Sequence, residues 1–264
     1  EALSPDGTEE GFADLMTKRA KKMGMLNSVF ANSNGWPHPK HRMSVKDLAI
    51  LANRIITDFP EYYSMFAEDT FKFDGRAAAN TRNRNPILGL GIGADGLKTG
   101  HTTEAGYGLV GSAVQGKRRV IFVITGLRSQ SVRANESEAI VKWAFRHFIE
   151  KKYGNANEVV GFAPVWNGDK QQVGLALSNE LNILVPVFDD DDINFTAEIK
   201  TPIKVPLSKG TKIGNLIISR PNLPTFKIPL FAAENVRLGG FKEKVFSAAK
   251  FLLRSLNQSQ EATF

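Results

Sequence analysis

An α+β fold in two parts is predicted for this 264-residue chain, and three observations carry the prediction. Apolar residues recur at helical spacing in three stretches of the first 154 residues. A Lys98-Thr99-Gly100 tripeptide is followed by two apolar runs joined by glycine-containing polar segments, the pattern of neighbouring antiparallel strands. From Glu158 onward the apolar pattern changes to short β-type runs separated by turn residues. The first part therefore mixes helices with an antiparallel sheet, and the second is a small all-β sandwich.

Residues 11–23 place Phe12, Leu15, Met16, Ala20 and Met23 on one helical face, with Gly24 as the stop and Lys18, Arg19, Lys21 and Lys22 on the solvated face. Residues 27–43 form a polar loop holding His38 and His41. Their spacing suits a metal, but no third ligand candidate lies nearby, which favours ordinary loop histidines. Ser44-Val45-Lys46-Asp47 resembles a capping box ahead of the stripe Leu48, Leu51, Ala52, Ile55, Ile56, and Phe59-Pro60 ends that helix. Residues 62–66 read as a helical turn and Phe71-Lys72-Phe73 as an alternating strand. A polar loop with Asn80, Asn83 and Asn85 leads to the Lys-Thr-Gly strand. After the two apolar strands, residues 126–131 form a loop. Asn135-Glu136-Ser137-Glu138 then caps a helix with the stripe Ile140, Trp143, Ala144, Phe148, closed by Gly154.

Runs at 159–165, 171–177, 181–187, 193–199, 212–219 and 225–231 supply the strands of the second part, with turn signals at Asn167-Gly168-Asp169, Ser178-Asn179, Ser208-Lys209-Gly210 and Pro221-Asn222. Asp189 to Asp192 suits either a calcium ion or, more simply, an acidic turn. The tail from Gly239 places Phe241, Val245, Ala248, Ala249, Leu252 and Leu256 on one face, with Lys242, Lys244, Lys250 and Arg254 around the rest. Such a helix either lies in a membrane interface or docks on its own protein. The expected division is 1–154, 155–238 and a tail of 239–264.

Composition narrows the chemistry. No cysteine is present, which excludes disulfides and thiolate metal sites and leaves the compartment open. Glu1-Ala2-Leu3-Ser4-Pro5 has neither the basic start nor the apolar stretch of a secretory leader, and no apolar run is long enough to span a bilayer. The net charge of +7 favours anionic partners, or serves solubility alone. Nucleic acid is not among the expected partners, because no stretch interleaves basic residues with aromatics on one surface. The Lys98-Thr99-Gly100 edge suits an anionic ligand: lysine brings a cation, threonine a hydroxyl donor, and glycine lets a ligand approach the backbone.

Several stretches carry a specific resemblance. They are Asn27-Ser28-Val29-Phe30-Ala31-Asn32 with Gly35-Trp36, Ser44 with Asp47-Leu48-Ala49, the segment 95–102 with Ala105-Gly106-Tyr107, then Arg133 and Pro164-Val165-Trp166. In this order, and with the amphipathic tail, they resemble the low-molecular-mass penicillin-binding proteins, the serine-type D-alanyl-D-alanine carboxypeptidases. The resemblance covers nearly the whole chain. It implies the C-terminal part of a β-lactamase/transpeptidase-like domain, followed by a small all-β sandwich domain and a membrane-anchoring tail. A β-lactamase is disfavoured, because those enzymes lack the β domain and the tail.

The family's nucleophile lies in a Ser-x-x-Lys motif followed by Ser-x-Asn, and both belong ahead of Glu1. The Ser-x-x-Lys in this chain, Ser247-Ala248-Ala249-Lys250, falls inside the tail helix and reads as a coincidence. The chain is therefore expected to be inactive alone. The resemblance implies that Lys98 favours the substrate carboxylate and nearby proton transfers, and that Thr99 donates to that carboxylate. It gives the backbone N–H of His101 one place in the oxyanion hole and Gly100 a steric role. Arg133 completes the carboxylate pocket or, failing that, is a surface residue near a helix start. It further implies no metal or organic cofactor, a peptidoglycan stem peptide as substrate and β-lactam antibiotics as inhibitors. The location it implies is the periplasm, with the C-terminal helix on the outer face of the cytoplasmic membrane. A non-catalytic fragment that binds peptidoglycan or a partner is the competing expectation.

Overall fold

The computed structural model of the chain describes residues 2–74, 80–188, 193–221, 223–243 and 245. The chain divides into two compact units, Glu1–Arg146 and His147–Phe264. The acidic run Asp189 to Asp192 and most of the tail helix, including Ser247 and Lys250, lie outside the described residues.

In the first unit, helix α1 spans Glu9–Lys22 and is capped by Thr8, whose Oγ1 accepts from the Gly11 N–H at 2.9 Å. Glu9 and Glu10 occupy its first turn, and Arg19, Lys21 and Lys22 its last, so side-chain charge opposes the helix dipole at both ends. Helix α2 spans Val45–Asp58, capped by Ser44 through the Asp47 N–H. Pro60 opens a short helix α3, Pro60–Tyr63, that continues as a 3-10 turn over Ser64–Ala67. Strands β1 (Ala94–Thr102), β2 (Gly106–Gln115) and β3 (Arg118–Leu127) form an antiparallel sheet in that order. Helix α4 (Gln130–His147) follows.

Alternation along β2 and β3 divides the apolar residues between two cores. Leu109, Ala113 and Phe122 pack with Val141 of α4 and with Ile87 and Ile92. Val110 and Ile121 pack with Leu97, Tyr63 and Ala52, Ile55 and Ile56 of α2. Helices thus cover the sheet on both faces, and β1 has a strand neighbour on one side only among the described residues.

Three expectations need correction here. Phe71-Lys72-Phe73 is not a strand; a single bridge joins Thr70 to Arg82, and with both phenylalanines exposed no apolar cover favours a ladder. Helix α4 begins at Gln130 rather than near Asn135, with the Ser129 Oγ accepting from the Val132 N–H at 3.1 Å. It also ends at His147, and residues Phe148–Gly154 form strand β4. Phe148 belongs to a sheet because it pairs with Pro186, a partner far away in sequence.

The second unit is all β. Strands β5 (Val159–Trp166), β6 (Gln172–Leu177), β7 (Leu181–Pro186), β8 (Asn194–Ile199), β9 (Ile203–Lys204), β10 (Lys212–Ser219) and β11 (Phe226–Ala232) join β4. One sheet runs β8-β10-β11-β6-β5-β9 and a smaller one pairs β4 with β7. Tyr153 of β4 and Ile183 of β7 pack on the core of Val173, Leu175, Leu177 and Leu230, which joins the two sheets into a sandwich. The Asn167-Gly168 turn signal is realised with Asn167 at φ 57°, a conformation asparagine tolerates.

A buried carboxylate ties the loop before α2 to that helix. Asp47 is 1% exposed and accepts from the Ser28 hydroxyl at 2.6 Å and the Asn27 N–H at 2.8 Å. The Ser28 hydroxyl, seconded by the Asn27 N–H, holds its carboxyl below the usual carboxylate value. A depressed folded value means that the contribution is present above the unfolded value of about 4 and is lost as pH falls through the folded one. Asp47→Asn keeps the acceptor and removes the charge. It should lower stability at neutral pH, where the carboxylate is charged. Denaturant melts of both proteins from pH 7 to pH 2.5 check this: the difference should close at the acid end, and a constant difference would count against the carboxylate.

Candidate active site

Strand β1 carries four of the residues singled out in the sequence. Lys98 projects from it with Nζ donating to the Thr99 carbonyl at 2.6 Å. Thr99 is half-buried and Gly100 exposed. His101 faces Tyr107 of β2 across the ladder, and the rings stack with centroids 3.9 Å apart at 31°. The histidine side chain is therefore held by an aromatic neighbour.

Arg133 reaches the same place from α4. The helix begins early enough to carry Arg133 within its first turns, where it is 5% exposed rather than a surface residue. Its guanidinium lies 5.7 Å from the Tyr107 ring, so Tyr107 touches both His101 and Arg133. One amino group, Nη2, donates to the Arg84 carbonyl at a long 3.4 Å, and the buried Nε has no hydrogen-bond partner among the described residues. An arginine buried with an idle donor is costly, and burial pulls its pKa down.

Arg84 is the residue that sequence reasoning missed. Partial burial, then the positive charges of Arg84 and Arg133, pull the Lys98 ammonium below its ordinary value. Three cations from three separate segments therefore lie near enough to act on one another, and the Arg84 guanidinium itself donates to Asn80 Oδ1 at 2.8 Å. Among the described residues none of the three forms an ion pair with a carboxylate, whereas six other Lys or Arg side chains do. The one available signal was the polar tripeptide Asn83-Arg84-Asn85, read only as loop.

Two networks fix β1 ahead of Lys98. Asp95 accepts from the Tyr63 hydroxyl at 2.9 Å and pairs with Arg119 Nη1 at 2.8 Å, and the same Nη1 also donates to Ser112 Oγ. Arg119 lies 5.0 Å from the Tyr63 ring, and burial pushes the Tyr63 hydroxyl up to about 12. Next to Asp95, the Gly96 carbonyl accepts from Asn85 Nδ2 at 2.9 Å. Gly96 leaves no room for a side chain, since a Cβ there would come within 2.6 Å of the Tyr63 hydroxyl.

The other candidates lie apart. His38 and His41 each accept a backbone N–H through Nδ1, from Lys40 at 3.2 Å and Ala31 at 3.3 Å, and burial lowers His41. No group of three potential metal ligands occurs among the described residues.

The arrangement brings together cations, a hydroxyl and an open strand edge, chemistry that suits an anion. Comparison with known proteins gives the family. The sequence profile of D-alanyl-D-alanine carboxypeptidases, peptidase family S11, matches residues 2–129, and that of the penicillin-binding protein 5 C-terminal domain matches residues 148–237. The D-alanyl-D-alanine carboxypeptidase DacC of Escherichia coli is 33% identical over 91% of this chain and 60% of its own length. DacA of the same organism is 27% identical over 93% of this chain and 61% of its own length, so the chain spans about three fifths of these relatives. Penicillin-binding protein 5 from Haemophilus influenzae superposes with a TM-score of 0.74 at 30% identity, covering 88% of this chain and 67% of that one. With both units matched in order, this chain belongs to the D-alanyl-D-alanine carboxypeptidase family of penicillin-binding proteins.

Proposed function

We propose that this chain supplies the Lys-Thr-Gly strand and carboxylate pocket of an enzyme that removes the terminal D-alanine from peptidoglycan stem pentapeptides through a serine acyl-enzyme. The observation that carries the proposal is the cluster of Lys98, Arg84 and Arg133 without a carboxylate among them, beside an idle buried donor on Arg133. Such a cluster is stabilised by an anionic ligand, and the C-terminal carboxylate of a D-Ala-D-Ala peptide is one.

In this reading the serine of a Ser-x-x-Lys segment attacks the carbonyl between the two D-alanines. The C–N bond breaks as the serine ester forms, the leaving amine takes a proton, and water then hydrolyses the ester. Arg133, Arg84 and the Thr99 hydroxyl hold the carboxylate, and Lys98 adds positive charge and assists proton transfer. The His101 N–H is one donor to the oxyanion. This chain alone, with its single Ser-x-x-Lys in the tail, is not labelled by penicillin. β-Lactams, which carry a carboxylate beside a reactive carbonyl, inhibit the enzyme at the same pocket.

Gly100 supports the reading by a process of elimination. Its φ lies outside the left-handed range, and a Cβ built on it meets no atom of the described residues within 4 Å. Folding therefore does not require glycine there, and a ligand could lie close against the strand backbone at that point. For location we propose the periplasmic face of the cytoplasmic membrane. Among the described residues no helix is long and apolar enough to cross a membrane. The basic residues of the tail, Lys242, Lys244, Lys250 and Arg254, suit an interfacial helix on anionic lipid, each contributing about 1 kcal/mol.

Three outcomes are expected in an enzyme that carries these residues together with the Ser-x-x-Lys segment. Arg133→Ala should lower kcat/KM on a D-Ala-D-Ala peptide by the equivalent of about 2–4 kcal/mol; a change of less than about twofold (0.4 kcal/mol) would remove Arg133 from the pocket. Gly100→Ala should leave the unfolding temperature unchanged while slowing acylation by penicillin, and equal acylation rates would remove Gly100 from the path of the ligand. Arg84→Ala removes a neighbouring cation, so the Lys98 ammonium should persist to higher pH. The alkaline limb of kcat/KM should then move upward, and an unmoved limb would separate Arg84 from Lys98.

A further inference from the structure

The segment that delivers Arg84 is held by asparagines in a manner that the pocket alone does not explain. Asn83 Nδ2 donates to the carbonyls of Glu68 at 3.0 Å and Phe66 at 3.3 Å, at the end of the 3-10 turn, and its Oδ1 accepts from the Asn85 N–H at 3.0 Å. Asn85 is 6% exposed, and both ends of its amide are engaged. Its Oδ1 accepts from the Ile87 N–H at 3.3 Å, and its Nδ2 donates to the Gly96 carbonyl at 2.9 Å, two residues before Lys98. Between the two asparagines, the Arg84 carbonyl accepts from Arg133 Nη2.

We propose that Asn85 is a positioning residue for the carboxylate pocket: its amide ties the segment bearing Arg84 to the Lys-Thr-Gly strand, so that Lys98, Arg84 and Arg133 keep one spacing. The inference rests on the reading of these cations as a carboxylate site. Asn85 touches no reacting atom in it. What it supplies is a bond from each end of one amide, a donor to β1 and an acceptor for its own chain. Aspartate lacks the donor, leucine lacks both groups, and glutamine needs a further methylene in a buried space. The Gly96 carbonyl is a fixed target, because Asp95 beside it is already pinned by Tyr63 and Arg119. A tie to that point transmits the position of β1 to the loop. The loop passes it on through the Arg84 carbonyl to Arg133, and it keeps the Arg84 charge, whose guanidinium donates to Asn80 Oδ1, close enough to act on Lys98. Mutual repulsion would spread three untethered cations, and a spread trio loses the multidentate grip on a carboxylate before it loses anything else.

The test separates grip on the carboxylate from general damage. Acylation rate constants are measured for benzylpenicillin and for its methyl ester, which differ in the free carboxylate. The protein is the full-length enzyme with the Ser-x-x-Lys segment, and the proteins compared are the parent, Asn85→Ala, Asn85→Ser and Arg133→Ala. The ratio of the two rates is taken within each protein, so a smaller active fraction in a destabilised variant cancels; Asn85→Ser serves if Asn85→Ala does not fold. We expect Arg133→Ala and the Asn85 variants each to reduce the acid-to-ester ratio by about tenfold or more. A ratio that falls in Arg133→Ala but stays at the parent value in both Asn85 variants overturns the role of Asn85 and leaves the pocket standing. A ratio unchanged even in Arg133→Ala overturns the carboxylate reading, and the role of Asn85 with it.

Discussion

Like charges repel, and the first unit has to hold Lys98, Arg84 and Arg133 together against that repulsion. Repulsion among three neighbouring cations works against a marginally stable domain, softened where the side chains stand in solvent. The arrangement is visible in its effect on Lys98, whose ammonium is pulled down by partial burial and by the two arginines. It persists because each cation rises from a different element: Lys98 from β1, Arg84 from the loop before it, Arg133 from α4. Arg133 is buried in its helix, while Lys98 and Arg84 stand exposed on backbone that other segments hold in place. An anion placed among them relieves it for all three at once.

The carboxylate that β1 itself carries is turned elsewhere. Asp95 stands only three residues before Lys98, yet its oxygens are taken by Arg119 and by Tyr63. That network serves β1 twice, since it anchors the entry of the strand and keeps a negative charge engaged away from the site. Ser112 and the Tyr63 ring complete the surroundings of Arg119, so the pair is hydrogen-bonded rather than bare, as a half-buried ion pair needs to be. The result is an asymmetric strand, with an ion-paired charge at Asp95 and, three residues on, Lys98 without a carboxylate among the described residues.

How much of this was legible in the sequence depended on distance along the chain. The three strands around Lys98 and six strands of the second unit stand where the local apolar runs put them, as do α1 and α2, because alternation, helical stripes and caps are short-range signals. Strand β4 was misread as helix because its reason for existing, β7, is some thirty residues further on. The start of α4 was misread because Asn135-Glu136-Ser137-Glu138 looks like a cap, while the true cap is the hydroxyl of Ser129. That error mattered for the site: it left Arg133 ahead of the helix, free to be a surface residue, when it is buried in it. Arg84 was invisible for the same reason as β4, since its neighbour Lys98 and its partner Arg133 are joined to it only by folding.

The glycines draw the line between what folding explains and what it does not. Gly106 has φ 63° and a site where a Cβ would sit 2.9 Å from the Leu127 carbonyl oxygen, so the turn from β1 to β2 requires it. Gly96 is required by the Tyr63 hydroxyl behind it. Gly100 answers to neither demand. Arg133 with its idle Nε and the cations without carboxylates are likewise unexplained by the stability of the unit, and each on its own weakens it. Residues that work against folding are ordinarily scattered and few. Here they gather around Lys98, Arg84 and Arg133, so the demands that folding leaves unexplained share one neighbourhood.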